Sequence, residues 1–379
     1  MHYLDHNATS PLRPEARAAI DRALEVGGNP SSVHARGRAA RAIVERAREQ
    51  VAALANADPA DVIFTSGGTE ANALALCGAV AGAAEAGARL TRLFVSAIEH
   101  DSVLANATAL AERVAGLRVE IIPVTQDGVI DVETLRVQLR EGKGRALIAA
   151  MAANNETGVV QPVAEISHAA KEFGALLLID AIQAATKIAL DYPDADYLTL
   201  SAHKIGGPQG AGALIAKASA PLATQIFGGG QERGRRAGTE NLSGVAGFGA
   251  AAKAARDFDA NALAALRDHF ESRLPKDAIV FGANAPRLAN TSNFALPGVT
   301  AETAIMALDL DGVMASSGAA CSSGKVKASH VLKAMSVDDE LASCALRISF
   351  GWNSTEEDVY AALASLQKFH TRIRARAAA

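Results

Sequence analysis

Short apolar runs separated by helix-length stretches constrain this chain more than any other feature. VIFT (62–65), RLFVSA (92–97), ALIAAM (146–151), ALLLID (175–180) and YLTLSA (197–202) show no polar alternation. A strand apolar on both faces must be covered on both faces. The covers are present in the sequence: TEANALALCGAV follows the first run, EHDSVLANATALAERV the second and VAEISHAAKEFG the third. The pattern predicts an α/β fold around a mostly parallel sheet. Residues 36–56 predict an amphipathic helix with Ile43, Val44, Ala47, Val51 and Leu54 inward and a basic, solvated opposite face.

A chain of 379 residues is too long for one compact core. Its texture changes after about residue 255, where helical AARDFDANALAALRDHFESRL leads into RLANTSNFAL, ETAIMALDL, LRISFGW and a closing helix TEEDVYAALASLQKFHTR. This predicts a large domain over 14–255 and a smaller α+β domain built from 1–13 and 256–379. The net charge of −4 argues against a general nucleic-acid binder. Three cysteines without a CxxC spacing exclude a zinc ribbon, make a disulfide framework improbable and fit a reducing cytoplasm. No signal pattern opens the chain, and the longest apolar stretch, Leu74–Ala84, is mostly Ala and Gly and too short to span a membrane.

Open parallel sheets place ligands beyond the C-terminal ends of their strands. Those ends carry Ser66-Gly67-Gly68-Thr69-Glu70, Glu99-His100, Asn154-Asn155-Glu156-Thr157-Gly158, Asp180 with Gln183, and His203-Lys204. Gly67-Gly68-Thr69 opens a helix and offers free N–H groups to an anion, although a plain strand–helix connection reads the same. There is no Walker sequence and no GxGxxG fingerprint for ATP or NAD. Asp180 closes an apolar run, where a carboxylate needs a partner; an N-cap or a structural ion pair would also serve. Lys204 precedes a Gly-rich turn and is a candidate Schiff-base former, against the ordinary reading of a surface charge. Anion cradle, buried carboxylate and lysine in this order are the parts a pyridoxal phosphate site needs. One further feature is SSGAACSSGK (316–325), which sets Cys321 among small residues where a structural cysteine would have bulky apolar neighbours.

The motifs YLDHNATSPL, GNPSSVHARGRAAR, FTSGGTEANALAL, EHDSV, NNETGVVQP, IDAIQA, SAHKIGGPQGAGAL, GGGQERGRRAGTEN and SSGAACSSG run nearly end to end. In them the chain resembles the group-I (NifS/IscS-like) cysteine desulfurases of the class-V aminotransferase superfamily. The resemblance implies a fold-type I pyridoxal phosphate enzyme with a seven-stranded sheet, acting as a homodimer. It implies that Lys204 carries the cofactor, His100 stacks on its ring and moves protons, Asp180 pairs with the ring nitrogen and Gln183 bonds the ring hydroxyl. Gly68, Thr69, Ser201 and His203 would hold the phosphate, with Thr239 reaching the phosphate of the other subunit. Asn155 and Arg347 would meet the carboxylate of L-cysteine. Cys321, on a loop over about 316–330, would take the sulfur as a persulfide and leave L-alanine. His100, Lys325 or Lys327 could favour its thiolate. The persulfide would pass to an acceptor such as an iron–sulfur scaffold or a thiolation relay. No stable metal site is implied, Cys321 being at most a transient iron–sulfur ligand shared with a scaffold.

Two departures concern the partner. Val326-Lys327-Ala328-Ser329 replaces the LEPS-type segment common in group I, and the chain ends in RIRARAAA soon after its last helix. The group-II lead-in to the cysteine is absent. The competing functions are a selenocysteine lyase or another class-V pyridoxal enzyme, and a thiol-based metal or sulfur carrier, which would cluster its cysteines. Cys77 and Cys344 read as core residues, and His34 as structural or partner-facing.

Overall fold

The computed structural model describes residues 1–189, 195–256, 259–317 and 329–377, with side chains to residue 371. Cys321, Gly318, Gly324, Lys325 and Lys327 lie outside the described residues. Numbered along the chain, the strands begin with β1 (His2–Tyr3), β2 (Val62–Thr65), β3 (Leu90–Ser96) and β4 (Arg118–Ile122). They continue with β5 (Arg145–Met151), β6 (Leu176–Asp180), β7 (Tyr197–Ser201) and β8 (Gly212–Ala216). The last are β9 (Ile279–Val280), β10 (Thr291–Ala295), β11 (Val313–Met314) and β12 (Ala345–Ser349).

The large sheet has seven strands in the order β2-β8-β7-β6-β5-β3-β4. Its pairings are parallel except those of β8, which is antiparallel to both β2 and β7. Alternate side chains of each strand enter opposite cores, as a sheet covered on both faces requires. Leu177 and Ile179 pack on one side with Val44, Ile166 and Phe248; Leu178 packs on the other with Leu74, Val103 and Tyr197. The first side is covered by helices including Ala35–Leu54 and Leu242–Arg256, the second by Gly68–Glu85 and Asp101–Arg113. The expected mostly parallel, seven-stranded α/β sheet is therefore present.

A second sheet, β12-β10-β9, is antiparallel and packs Phe294, Leu346 and Ile348 against Phe270, Phe350 and Leu366. The chain's first residues lie beside it: β1 and β11 form a separate parallel pair, and Asp5 bridges Ser349 of β12. The long helical reading after residue 250 divides into Leu242–Arg256 and Ala260–Ser272, because Asp259 caps the second helix by accepting the Asn261 N–H.

The helix Ala35–Leu54 corrects one expectation: its basic residues are not all on a solvated face. Arg48 is buried and forms an ion pair with buried Glu232 at 2.7 Å. Together they close the open edge of β2. Arg48 donates to the Val62 carbonyl at 2.8 Å, and Glu232 accepts the Phe64 N–H at 3.0 Å. An edge strand left with bare polar groups is a template for unwanted pairing. Here a side-chain pair replaces the missing strand. Glu232→Leu leaves buried Arg48 with only the half-exposed Glu45, 3.4 Å from its Nε, and costs about 3 kcal/mol, to be read from denaturant unfolding of the two proteins side by side. An unchanged midpoint would show that the pair contributes nothing to the edge.

Candidate active site

The sheet register decides which side chains meet. Met151 pairs with Asp180, Asp180 with Thr199, Ser201 with Gly212, and Gly212 with Thr65. Five strand ends thus open on one rim, and β8 presents its N-terminal glycine there. A Cβ on Gly212 would lie 2.5 Å from the Gly67 backbone, and one on Gly68 would lie 2.3 Å from Ile182. Gly212 needs hydrogen for the Gly67-Gly68 turn to seat against the sheet, whereas at Gly68 the end of the Ile182 side chain would have to give way. The turn starts the helix Gly68–Glu85, whose first N–H groups face the rim.

Above the rim lies a cavity of about 330 Å³ lined by Gly68, Thr69, His100, Asn155, Asp180, Gln183, Ser201, His203, Lys204 and Arg347. Every described site residue expected from the sequence is there except Thr239, which is exposed and lines a separate pocket beside Ser66 and Arg236. Asp5, Asn7, Ala8, Ser102 and Ser316 also line the cavity, and no role was assigned to them from sequence.

Asp180 is buried, and burial holds its carboxyl above the usual carboxylate range. It accepts hydrogen bonds from the Ile182 N–H at 2.9 Å and from Asn72 Nδ2 at 2.8 Å. Among the described residues no cation lies within ion-pair distance of it. Asn72 is fully buried, donates its second N–H to Ser102 Oγ at 2.9 Å and accepts from Thr199 Oγ1 at 2.7 Å. Ser102 in turn stands 2.9 Å from His100 Nδ1, which also accepts the Ser102 backbone N–H at 3.1 Å. With Nδ1 committed as an acceptor, a neutral His100 ring carries its proton on Nε2. Asn72 thus ties the carboxylate to the imidazole.

Lys204 Nζ donates to two backbone carbonyls, Asn7 at 2.5 Å and Ala8 at 2.9 Å. Burial, with the Arg347 charge, lowers its pKa from 10.5 to about 8. His203 is lowered to about 4 by burial and by Lys204, so its ring is neutral near pH 7. Arg347 donates to the Asn155 carbonyl at 2.9 Å and to Asp5 Oδ1 at 2.6 Å, while its Nε has no hydrogen-bond partner among the described residues. Gln183 donates to the Asn7 carbonyl at 2.8 Å and accepts from Lys187 at 3.1 Å. His34 is exposed, and its ring accepts the Gly37 N–H and caps the helix Ala35–Leu54. Cys344 is buried, and half-buried Cys77 packs on the second core.

The residues present fit pyridoxal phosphate. Ser201 Oγ is buried without a hydrogen-bond partner among the described residues, on the rim beside Gly68, where a phosphate oxygen would satisfy it. Asp180 lacks the cation that a protonated ring nitrogen supplies. No helix among the described residues is long and apolar enough to cross a membrane, and no His/Cys/Asp/Glu group there could hold a metal ion.

Comparison with known proteins agrees with this site. Residues 2–361 match the family Aminotransferase class-V. The chain is 38% identical to cysteine desulfurase IscS of Dictyoglomus turgidum over 98% of its own length and 95% of that protein. It is 42% identical to a cysteine desulfurase of Cereibacter sphaeroides, covering 98% and 96% of the two chains. The NifS-like protein from Rickettsia africae superposes with a TM-score of 0.88 at 31% identity, over 98% of this chain and 99% of that one. The architecture is that of the fold-type I, pyridoxal phosphate-dependent enzymes. Matched along nearly its whole length, the chain belongs to the class-V aminotransferase family, among the cysteine desulfurases of the IscS and NifS type.

Proposed function

We propose that this protein takes sulfur from L-cysteine, releases L-alanine and passes the sulfur from Cys321 to an acceptor. The observation that carries this reading is the meeting of Asp180, Lys204 and the unpartnered Ser201 hydroxyl on the walls of one cavity. When bound, pyridoxal phosphate supplies an electron sink for negative charge at the substrate α-carbon. Gly68, Thr69, Ser201 and His203 hold its phosphate, Asp180 keeps its ring nitrogen protonated, Gln183 donates to its ring oxygen and Lys204 anchors it. His100, which lines the cavity and holds Nδ1 as an acceptor, would lie against the ring. Arg347 and Asn155 hold the substrate carboxylate, and Lys204, with a lowered pKa, moves the α-proton.

The Cys321 thiolate attacks the substrate sulfur. A sulfur–sulfur bond forms, the carbon–sulfur bond breaks, and its electron pair stays with the three-carbon fragment, which takes up a proton and leaves as alanine. No outside oxidant or reductant enters. The exposed Thr239, standing apart from this cavity, supports a homodimer in which it serves the other subunit's phosphate. The segments 14–255, and 1–13 with 256–379, form the large and small domains. The scarcity of cysteine fits a cytoplasmic setting, and the acceptor is a sulfur carrier such as an iron–sulfur scaffold.

Lys204→Ala abolishes the yellow absorbance of the bound cofactor and lowers alanine release about a thousandfold or more. Cys321→Ala keeps the colour but loses sulfide release from cysteine; wild-type sulfide release by that variant would falsify the nucleophile assignment. In cofactor-free protein, acylation of Lys204 by an amine-reactive ester, followed by mass spectrometry, turns on around pH 8 because the free amine predominates only above its pKa. A midpoint at the ordinary lysine value of 10.5 would contradict the desolvated site.

A further inference from the structure

Lys187 is a second amine beside the cavity, and the reaction described above does not use it. It sits on the turn that follows Asp180, three residues before the first break in the described chain. The residue as a whole is half-buried, but its amine is enclosed by protein. Both of its hydrogen bonds among the described residues go to Gln183: Nζ donates to the backbone carbonyl at 3.0 Å and to Oε1 at 3.1 Å. Its charged neighbours are cations or potential cations, namely Lys204, Arg347 and His6. No carboxylate pairs with it among the described residues. Desolvation and the charges of Lys204 and Arg347 lower its pKa to about 7. An amine that finds no counter-ion among the described residues, and whose two side-chain bonds go to one glutamine, points to a role through that glutamine.

The reason lies in the Gln183 amide. A primary amide has a donor end and an acceptor end, and its partners decide which way it points. The Asn7 carbonyl can only accept, and it takes one N–H of Gln183 Nε2 at 2.8 Å. Lys187 donates to Oε1 whether or not its amine is protonated. These two contacts fit only one orientation, with Nε2 and its second N–H left for a cavity that Gln183 lines. We infer that Lys187 is a positioning residue: it locks the Gln183 amide so that the side chain presents an N–H donor to the ring oxygen of the bound cofactor.

This rests on the reading of the cavity as a pyridoxal phosphate site, and wild-type protein tests that reading first by binding the cofactor with a visible absorbance. The positioning role is then read from the pH midpoint of that absorbance in the holoenzyme. Losing a neutral hydrogen bond of about 1 kcal/mol to the ring oxygen raises the midpoint by about 0.7 unit. Lys187→Met and Lys187→Ala both show this rise. Lys187→Gln, which lacks the charge but keeps an N–H donor, retains the wild-type midpoint. In a Gln183→Ala background, Lys187→Met causes no further rise, because the two act in series. A wild-type midpoint in both Lys187→Met and Lys187→Ala would overturn the inference. A full rise persisting in the Gln183→Ala background would also overturn it, showing that Lys187 acts through its own charge. Should Lys187→Met fail to fold, Lys187→Ala against Lys187→Gln decides the same question. Failure of wild-type protein to bind the cofactor would sink the parent reading instead.

Discussion

The buried carboxyl of Asp180, at the end of a central strand, is the constraint on which the site depends. An isolated carboxylate in such a place costs several kcal/mol. The protein offers it two N–H donors, from Ile182 and Asn72, each worth about 1.5–3 kcal/mol to a charged acceptor. They do not restore ordinary acidity, since burial still holds its pKa high. The remaining deficit is a cation's worth, and no described side chain fills it. A group arriving with a protonated nitrogen is therefore stabilised by a carboxylate already in position, with no reorganisation at the moment of binding. Asn72 does more than satisfy Asp180. Through Ser102 it sets the tautomer of His100, so the carboxylate and imidazole are fixed by one side chain.

The opposite wall is electropositive. Lys204 and Arg347 line a cavity whose facing carboxylates are Asp5 and Asp180, and Lys187 lies behind them within reach of both their charges. Desolvation and mutual repulsion lower both lysines, leaving amines that can act as neutral bases near physiological pH. A phosphate at the Gly68 helix terminus and a substrate carboxylate near Arg347 would both add negative charge to this surplus. Arg347 already holds Asp5 at 2.6 Å, so a substrate carboxylate would enter an arginine site whose geometry is set beforehand.

Much of this was legible in the sequence because central parallel strands are apolar on both faces. All five such runs are strands, and the polar residues at their ends converge as the rim rule requires. Two strands of the large sheet escaped the same reading. RVEII (118–122) is an outer strand with exposed and half-buried positions, so its pattern is broken by Arg and Glu. GALIA (212–216) follows a glycine-rich turn and runs against its neighbours, where no crossover helix announces it. Arg48 looked like one more cation on a basic helix face, because its partner Glu232 lies 184 positions away. Asn72 carried a fainter signal, a lone amide in a helix of Ala, Leu and Gly, four residues beyond the cradle glycine.

Asn7 had no such signal, since its contribution is largely through its backbone. It is buried, and its polar groups join the two sheets: its N–H donates to Ser349, its side chain donates to Thr291 and to the Asn155 carbonyl, and Asn290 donates to it. Its carbonyl takes the N–H groups of Lys204 and Gln183. This choice of acceptor matters chemically. A carboxylate at that place would stabilise the ammonium of Lys204 and push its pKa back up. A carbonyl holds the amine in position through its dipole, without a counter-charge, so desolvation remains the larger effect and the lysine stays near 8. Positioning and activation of Lys204 are thus obtained together, by building the acceptor from main chain that the second sheet keeps in register.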